Sequence, residues 1–264
     1  MYPVQYHRPD SVAEAVADLA AAEEAKFLAG GQTLIPTMKQ HLAAPSMVID
    51  IRGLPGLSEI RAEGDALVIG ATATHAAVAA DATVAAKIPA LSHLAGNIGD
   101  PAVRHMGTIG GSLANNDPTA CYPSAVLALG ATVVTDRREI AAEDYFEGMF
   151  ATALEEDELI TAVRFPVPTR ASYAKFPNPA SRYAMVGVFV AETGGGVRVS
   201  VTGAGQDGVF RHEGLEAALA ASFTPEAVDG VTVSPDDLME DMHGSAAYRA
   251  NLIKVMAKRA VAAA

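Results

Sequence analysis

The chain has 264 residues, half of them hydrophobic, and a formal net charge of −12. That length holds one to three domains with ample core, and the acidic balance without a dense Lys/Arg run argues against a nucleic-acid groove, which needs clustered cations. No run is apolar for long enough to span a bilayer, and no signal-peptide core follows Arg8 and Asp10, so a soluble, cytoplasmic protein is expected.

Residues 2–6 read as a short strand. Ser11 with Glu14 makes a capping box, and Val12, Val16 and Leu19 recur at helical spacing to about residue 25. Residues 26–29 form an apolar strand that runs into a diglycine, Gly30-Gly31. Residues 36–40 suit a short helix and 47–51 a buried strand. The result is a compact βαβαβ-like unit with the diglycine at the carboxyl end of a strand, where α/β sheets commonly bind ligands. Gly53-Leu54-Pro55-Gly56 is a turn and a candidate boundary. Residues 67–69 are a strand, 74–80 a helix capped by Thr74, and 83–98 a helical stripe of Val84, Ile88, Leu91 and Leu94 that breaks at Pro89. Gly99-Asp100-Pro101 turns the chain into Val103-Arg104-His105-Met106, with His105 expected in a loop, and on to a second diglycine, Gly110-Gly111. Residues 122–129 are an apolar helix, 132–135 a strand, 155–158 a solvated acidic turn and 159–165 a strand. Beyond residue 173 the texture changes. Strands at 183–192 and 197–202 are joined by Gly194-Gly195-Gly196 as a hairpin, 209–211 pairs next, and 213–221, 225–228, 236–239 and 246–262 look helical. Strands followed by helices indicate a small α+β domain.

The two diglycines carry the chemistry. They stand in Leu28-Ala29-Gly30-Gly31-Gln32-Thr33-Leu34 and in Thr108-Ile109-Gly110-Gly111-Ser112-Leu113-Ala114-Asn115-Asn116-Asp117-Pro118. Paired glycines let the backbone turn sharply and approach a ligand closely. Successive free N–H groups in such a turn form a concave anion site, and two of them suit a ligand with a pyrophosphate at its middle. Taken singly, each diglycine reads as an ordinary turn. Neither is a G-x-G-x-x-G fingerprint or a Walker loop, so a dinucleotide here would bind in a non-Rossmann manner. The seven histidines show no metal-ligand spacing, and the single Cys121 can form no internal disulfide and cannot hold an iron–sulfur cluster. No metal is expected in this chain.

Taken in order, Ala29-Gly30-Gly31-Gln32-Thr33-Leu34, then Val103-Arg104-His105-Met106-Gly107-Thr108-Ile109-Gly110-Gly111, then Asp117-Pro118, the sequence resembles the FAD-binding medium subunit of the molybdenum hydroxylases. That family includes carbon monoxide dehydrogenase and the xanthine dehydrogenase flavin domain. Tyr173-Ala174-Lys175-Phe176 and Pro179-Ala180-Ser181-Arg182-Tyr183-Ala184 resemble the segment that opens the family's C-terminal domain, and the resemblance covers nearly the whole chain. It implies an α+β fold: a two-subdomain FAD-binding domain of vanillyl-alcohol-oxidase/PCMH-like type, residues 1–54 and 55–175, followed by a small α+β C-terminal domain, residues 176–264.

The resemblance further implies FAD extended between the subdomains. Its pyrophosphate would rest on the backbone of Ala29, Gly30, Gly31, Gln32 and Thr33 and on that of Thr108, Ile109, Gly110, Gly111 and Ser112. Backbone donors and the Thr33, Thr108 and Ser112 hydroxyls can neutralise a diphosphate without a lysine. By position, Leu28, Leu34, Ile35, Ile98, Gly99 and Ile160 would touch the flavin or its chain, and Ile160 reads equally as core. Ser112 stands where the family often has asparagine, and Gln32 where some members have histidine or asparagine. Cys121 stands where many members have an aspartate that can bind ribose hydroxyls. A buried thiol is a poor acceptor, so that contact would be lost or pass to Asp117 or Asn115. Lys175 near the flavin's N1–C2=O edge would stabilise the reduced anion, and Tyr183 could cover a ring face. For these two, and for neighbouring Arg182, surface charge or domain packing is the alternative. No catalytic acid, base or nucleophile is assigned.

The functional expectation is the FAD-binding electron-transfer subunit of a heterotrimeric molybdenum hydroxylase. A large subunit would hold a molybdopterin-type cofactor and oxidise the substrate. A small subunit with two 2Fe–2S clusters would pass electrons to this chain, which would deliver them to an external quinone, NAD or dioxygen. The assembly would be a dimer of heterotrimers. The alternatives are a free-standing flavoenzyme of the same fold, such as a UDP-N-acetylenolpyruvoylglucosamine reductase-like protein or a sugar oxidase, and a scaffold subunit that has lost the flavin.

Overall fold

A computed structural model describes all 264 residues as three larger sheets and one two-stranded ribbon, with helices between and around them. The chain opens with β1 (Gln5–His7), α1 (Val12–Ala21), β2 (Lys26–Leu28), α2 (Leu34–Lys39) and β3 (Met47–Asp50). β3 lies between the other two strands, parallel to both. Ser11 Oγ accepts the Glu14 N–H at 3.1 Å, as the capping box requires. The reciprocal Glu14 bond reaches back to the Asp10 N–H instead. The helix turns Ala15 onto Ile49 and Ile51 in a small core.

Next come β4 (Ile60–Glu63), β5 (Ala66–Gly70), α3 (His75–Ala80), α4 (Ala82–Lys87), α5 (Pro89–Gly96), α6 (Pro101–Met106), α7 (Ile109–Asn115) and α8 (Tyr122–Leu129). β6 (Thr132–Thr135), β7 (Glu139–Ala141), α9 (Ala142–Tyr145), the small ribbon β8 (Phe146–Gly148) with β9 (Ala151–Thr152), and β10 (Ile160–Pro166) follow. The antiparallel sheet runs β4-β5-β10-β6-β7. The Pro89 break is real: α4 ends at Lys87 and α5 starts with Pro89 at its first turn. Residues 101–106 are helical, so His105 sits on an exposed helix face and not in a loop. Asp100 caps this helix through the Val103 N–H, and Pro101 opens it. That Asp-Pro pair is the sequence signal that marks it.

The last part holds β11 (Arg170–Pro177), β12 (Ala184–Thr193), β13 (Gly196–Gly205), β14 (Gly208–Arg211), α10 (Glu213–Ala221), a 3₁₀ turn (Pro225–Val228) and α11 (Ala246–Ala262). β11 pairs with β12 along its whole length, so a division after residue 175 falls inside a strand of the last sheet. That strand begins at Arg170, before the change of texture at residue 173. Residues 236–239 are not a helix. The Met239 N–H donates to the Ala204 carbonyl, and Leu238 bridges Gly205, so pairing with the end of β13 overrides local propensity.

α8 explains how the parts hold together. All eight of its residues are buried, as a helix that is apolar all round must be. On one side it shares the largest core with Leu67, Ile69, Val163 and Phe165 of the antiparallel sheet. On the other it meets Tyr173, Phe189 and Ala191 of the last sheet. The opposite face of that sheet packs Val186, Val188 and Val190 on Ile253, Met256 and Ala257 of α11. β12 is therefore buried on both faces over its first eight residues. No helix is long and apolar enough to cross a membrane.

Candidate functional site

The carboxyl end of β2, the start of α7, the start of α8 and the end of β11 enclose a cleft of about 650 Å³. Of the residues singled out in sequence, Leu28, Ala29, Gly30, Gly31, Gln32, Thr33, Leu34, Ile98, Gly99, Thr108, Gly110, Gly111, Ser112, Asn115, Asp117, Cys121, Ile160, Lys175 and Tyr183 line it. Two do not. Ile109 is wholly buried in the main core. Ile35 turns away from the cleft to pack with Leu28, Met38 and Val48. Periodicity cannot tell a residue beside a ligand from its neighbour one turn away.

The glycines divide their work. A Cβ on Gly30 would stand 2.2 Å from the Met106 carbonyl oxygen, so Gly30 lets the first loop close onto the chain entering the second. A Cβ on Gly110 would stand 2.6 Å from that of Ala71. Both serve contact between segments. Gly31 has φ +68°, the left-handed region that favours glycine. Gly111 is exposed on the cleft wall.

The loops also differ in their donors. The N–H groups of Gly30, Gly31, Gln32, Thr33 and Leu34 donate to no atom of the chain. Consecutive unpaired donors of this kind are what a backbone anion site requires. The second diglycine is the first turn of α7, and its donors are engaged: Ile109 to the Ala73 carbonyl, Gly110 to that of Ala71, Ser112 to that of Thr108, and Gly111 to Thr108 Oγ1 at 3.1 Å. The expected second row of free backbone donors is therefore absent. What this side presents is the Ser112 hydroxyl, which has no partner within the chain, and a close wall.

The far end of the cleft gathers titratable groups. Lys175 Nζ donates to the Asn97 carbonyl at 2.9 Å and lies 3.5 Å from Cys121 Sγ. Tyr173, buried beneath, has its hydroxyl pushed well up in pKa by burial and then by Cys121. Tyr183 is 51% exposed and follows Arg182 at φ +63°. Its pKa is raised by partial burial, then by Asp117 and Cys121. Asp117 Oδ1 is taken by the Thr119 N–H and hydroxyl, which leaves its other oxygen for a ligand.

Among the wall residues that the sequence reading passed over, two are buried and titratable. His75 is buried, its Nδ1 has no partner, and burial followed by the nearby Arg104 charge lowers its pKa to about 4, so it is neutral at pH 7. Its helical position behind Thr74 gives no signal of this. Glu158, read as part of a solvated turn, has a fully buried side chain. Arg138 holds it at 2.7 Å, with help from Thr135 and the Glu155 N–H, and these partners draw its pKa down to about 2. Buried carboxylates of this kind need such pairing.

The geometry fits a diphosphate with an extended body: a row of unpaired N–H groups, then apolar walls, then a lysine and a tyrosine. Residues 2–168 match the family model of the FAD binding domain in molybdopterin dehydrogenase. The chain belongs to that family. This FAD-domain member is 36% identical to the carbon monoxide dehydrogenase medium chain of Afipia carboxidovorans, over 97% of this chain and 94% of that one. It is 33% identical to the nicotine 6-hydroxylase medium subunit of Paenarthrobacter nicotinovorans, over 98% and 96%. Among solved structures, carbon monoxide dehydrogenase of Hydrogenophaga pseudoflava superimposes with a TM-score of 0.91 at 36% identity, covering 100% of this chain and 98% of that chain.

Proposed function

We propose that the chain binds FAD in the cleft and is the electron-transfer subunit of a molybdenum hydroxylase. The observation that carries this is the run of unpaired N–H groups from Gly30 to Leu34, which opens onto a cleft whose opposite wall starts at Gly111. These donors hold the diphosphate, joined by the Ser112 hydroxyl. Leu28, Ile98 and Ile160 exclude water from the body of the ligand, and Tyr183 covers it. Lys175 supplies one positive charge at the ring end, where charge tunes a flavin. Asn115 and the free oxygen of Asp117 accept from hydroxyls of the ligand's sugar-alcohol or ribose chain, in place of Cys121. Bound there, FAD supplies a carrier able to take electrons one at a time.

The working units are residues 1–54 and 55–169 around the cofactor, with 170–264 bracing them through α8. A large molybdenum-cofactor subunit oxidises the substrate, and a small subunit with two 2Fe–2S clusters delivers the electrons. An external acceptor takes them onward, and the complex is a dimer of heterotrimers. The test is the visible spectrum of the purified protein, with acid release of any flavin. Flavin bands and about one released FAD per chain are expected. A chain that stays colourless with added FAD, both alone and with its partner subunits, refutes the reading.

A further inference from the structure

Cys121 lines the cleft, and no bond to the ligand is assigned to it. It is the chain's only cysteine, so no internal disulfide can resolve its oxidation. The residue is 5% exposed, and its open face is the one on the cleft. Two polar groups meet the sulfur. Lys175 Nζ stands 3.5 Å away, steadied by its 2.9 Å bond to the Asn97 carbonyl. The other is the hydroxyl of Tyr173, a residue only 3% exposed. That hydroxyl has no well-aligned hydrogen-bond partner, and Cys121 is the group close enough to raise its pKa beyond the effect of burial. A buried hydroxyl without a partner costs stability, and an oxygen added to the sulfur would satisfy it. The thiol and the amine come from elements 54 residues apart in sequence, the start of α8 and the end of β11.

We propose that Cys121 and Lys175 form a peroxide-driven sulfur–nitrogen cross-link, with the Tyr173 hydroxyl holding the oxygenated intermediate. Hydrogen peroxide from solution transfers one oxygen to the sulfur: the O–O bond breaks, the thiol becomes a sulfenic acid, and one water leaves. Two electrons pass from sulfur to peroxide in that step. The Tyr173 O–H donates to the new oxygen. The Lys175 ammonium gives one proton to solvent, and the amine attacks the sulfur. The S–N bond forms as the S–O bond breaks, and the departing hydroxide takes a proton from the nitrogen as a second water. No further oxidant is consumed. The flexible lysine stem closes the remaining gap. Without an amine at hand the sulfenic acid goes on to the irreversible sulfinic acid; the link intercepts it in a form that thiols reopen. The product ties β11 to the start of α8 and cancels the positive charge of Lys175. The effect of that lost charge on the cofactor rests on the FAD reading; the pair itself does not.

The experiment treats the full chain, freed of flavin, with hydrogen peroxide, digests it and identifies the peptides by mass spectrometry. The expected product is a pair of peptides joined through Cys121 and Lys175, lighter by two hydrogens than the separate peptides together, which a thiol reductant separates. Lys175→Arg keeps the positive charge and a donor for the Asn97 carbonyl but has no such amine, so its Cys121 should end as the sulfinic acid, unlinked. Tyr173→Phe removes only the unpaired hydroxyl and should slow the link; an unchanged rate overturns the role given to Tyr173. The proposal fails if wild-type Cys121 reaches the sulfinic acid without a link, if the sulfur joins another lysine, or if Lys175→Arg gives the wild-type products. With FAD at about ten times its dissociation constant the link should form about tenfold more slowly, because the cleft is then occupied. A link that forms as fast with FAD present leaves the pair standing and counts against the cleft as the FAD site.

Discussion

Gly30→Ala isolates the contact on which the cleft depends. The added methyl would lie 2.2 Å from the Met106 carbonyl oxygen, 2.7 Å from Gly107 Cα and 2.8 Å from Met106 C. Non-bonded atoms settle at about 3.5 Å, so the two segments must part by roughly 1 Å. Neither moves freely. The Gly107 N–H is bonded to the Val103 carbonyl at 2.7 Å, and the Gly107 carbonyl accepts the His75 N–H at 2.9 Å. Overpacking against backbone sits at the upper end of the usual range, about 3 kcal/mol. For a chain of this size that lowers the thermal midpoint by about 6–12 °C. The free donors of the first loop are displaced with it, and FAD retention should fall at least tenfold. The assay pairs thermal melts of the flavin-free chain with the flavin content of the purified protein. Gly64→Ala is the control: its methyl meets nothing within 4 Å, and only the φ of +59° penalises it, by about 1–2 kcal/mol. A Gly30→Ala protein that melts with the wild type and keeps its flavin refutes the close-approach argument. Flavin loss without any loss of stability shows instead that the methyl meets the ligand.

His75 makes stability depend on acid. Its folded pKa of about 4 lies below the ordinary 6.5, so the neutral ring is the form the fold favours. The stabilisation is complete above pH 6.5 and is lost as pH falls to 4, by about 3 kcal/mol in all. Urea unfolding across that window should show this slope in the wild type and a flatter one in His75→Gln; equal slopes exclude His75 as its source. Cys121→Asp sets a carboxylate where the thiol now lies 3.5 Å from Lys175 Nζ. The ion pair it provides, and an acceptor for hydroxyls of the ligand's chain, should leave FAD retention equal or tighter, and a tenfold loss contradicts the placement of Cys121 in the cofactor site.

Much of the frame was legible in sequence because it is encoded within a turn or two of chain. Ser11 and Thr74 do cap their helices, the Pro89 break falls where it should, and α10 and α11 run over the expected residues 213–221 and 246–262. The two diglycines, in their order and spacing, were enough to indicate the family. Other features had no local signature. Glu158 reads as surface until Arg138, twenty residues upstream, reaches it. Residues 236–239 read as a helix until Ala204 and Gly205 claim their backbone.

The division is clearest at the diglycines themselves. Sequence alone determined that the backbone comes close to something at both places, since glycine there is a local property. Only the tertiary structure decided what it approaches. At Gly30 and Gly110 it is a segment far along the chain, Met106 and Ala71; at Gly31 and Gly111 the nearest atoms are side chains within four residues, Leu28 and Ile35 for one and Thr108 for the other, and both glycines line the cleft. Free donors remain at the first loop and not at the second, because carbonyls from residues 71 and 73 arrive to take the N–H groups of 110 and 109. Whether a backbone donor is free for a ligand depends on what packs against it from far along the chain, and no local pattern carries that.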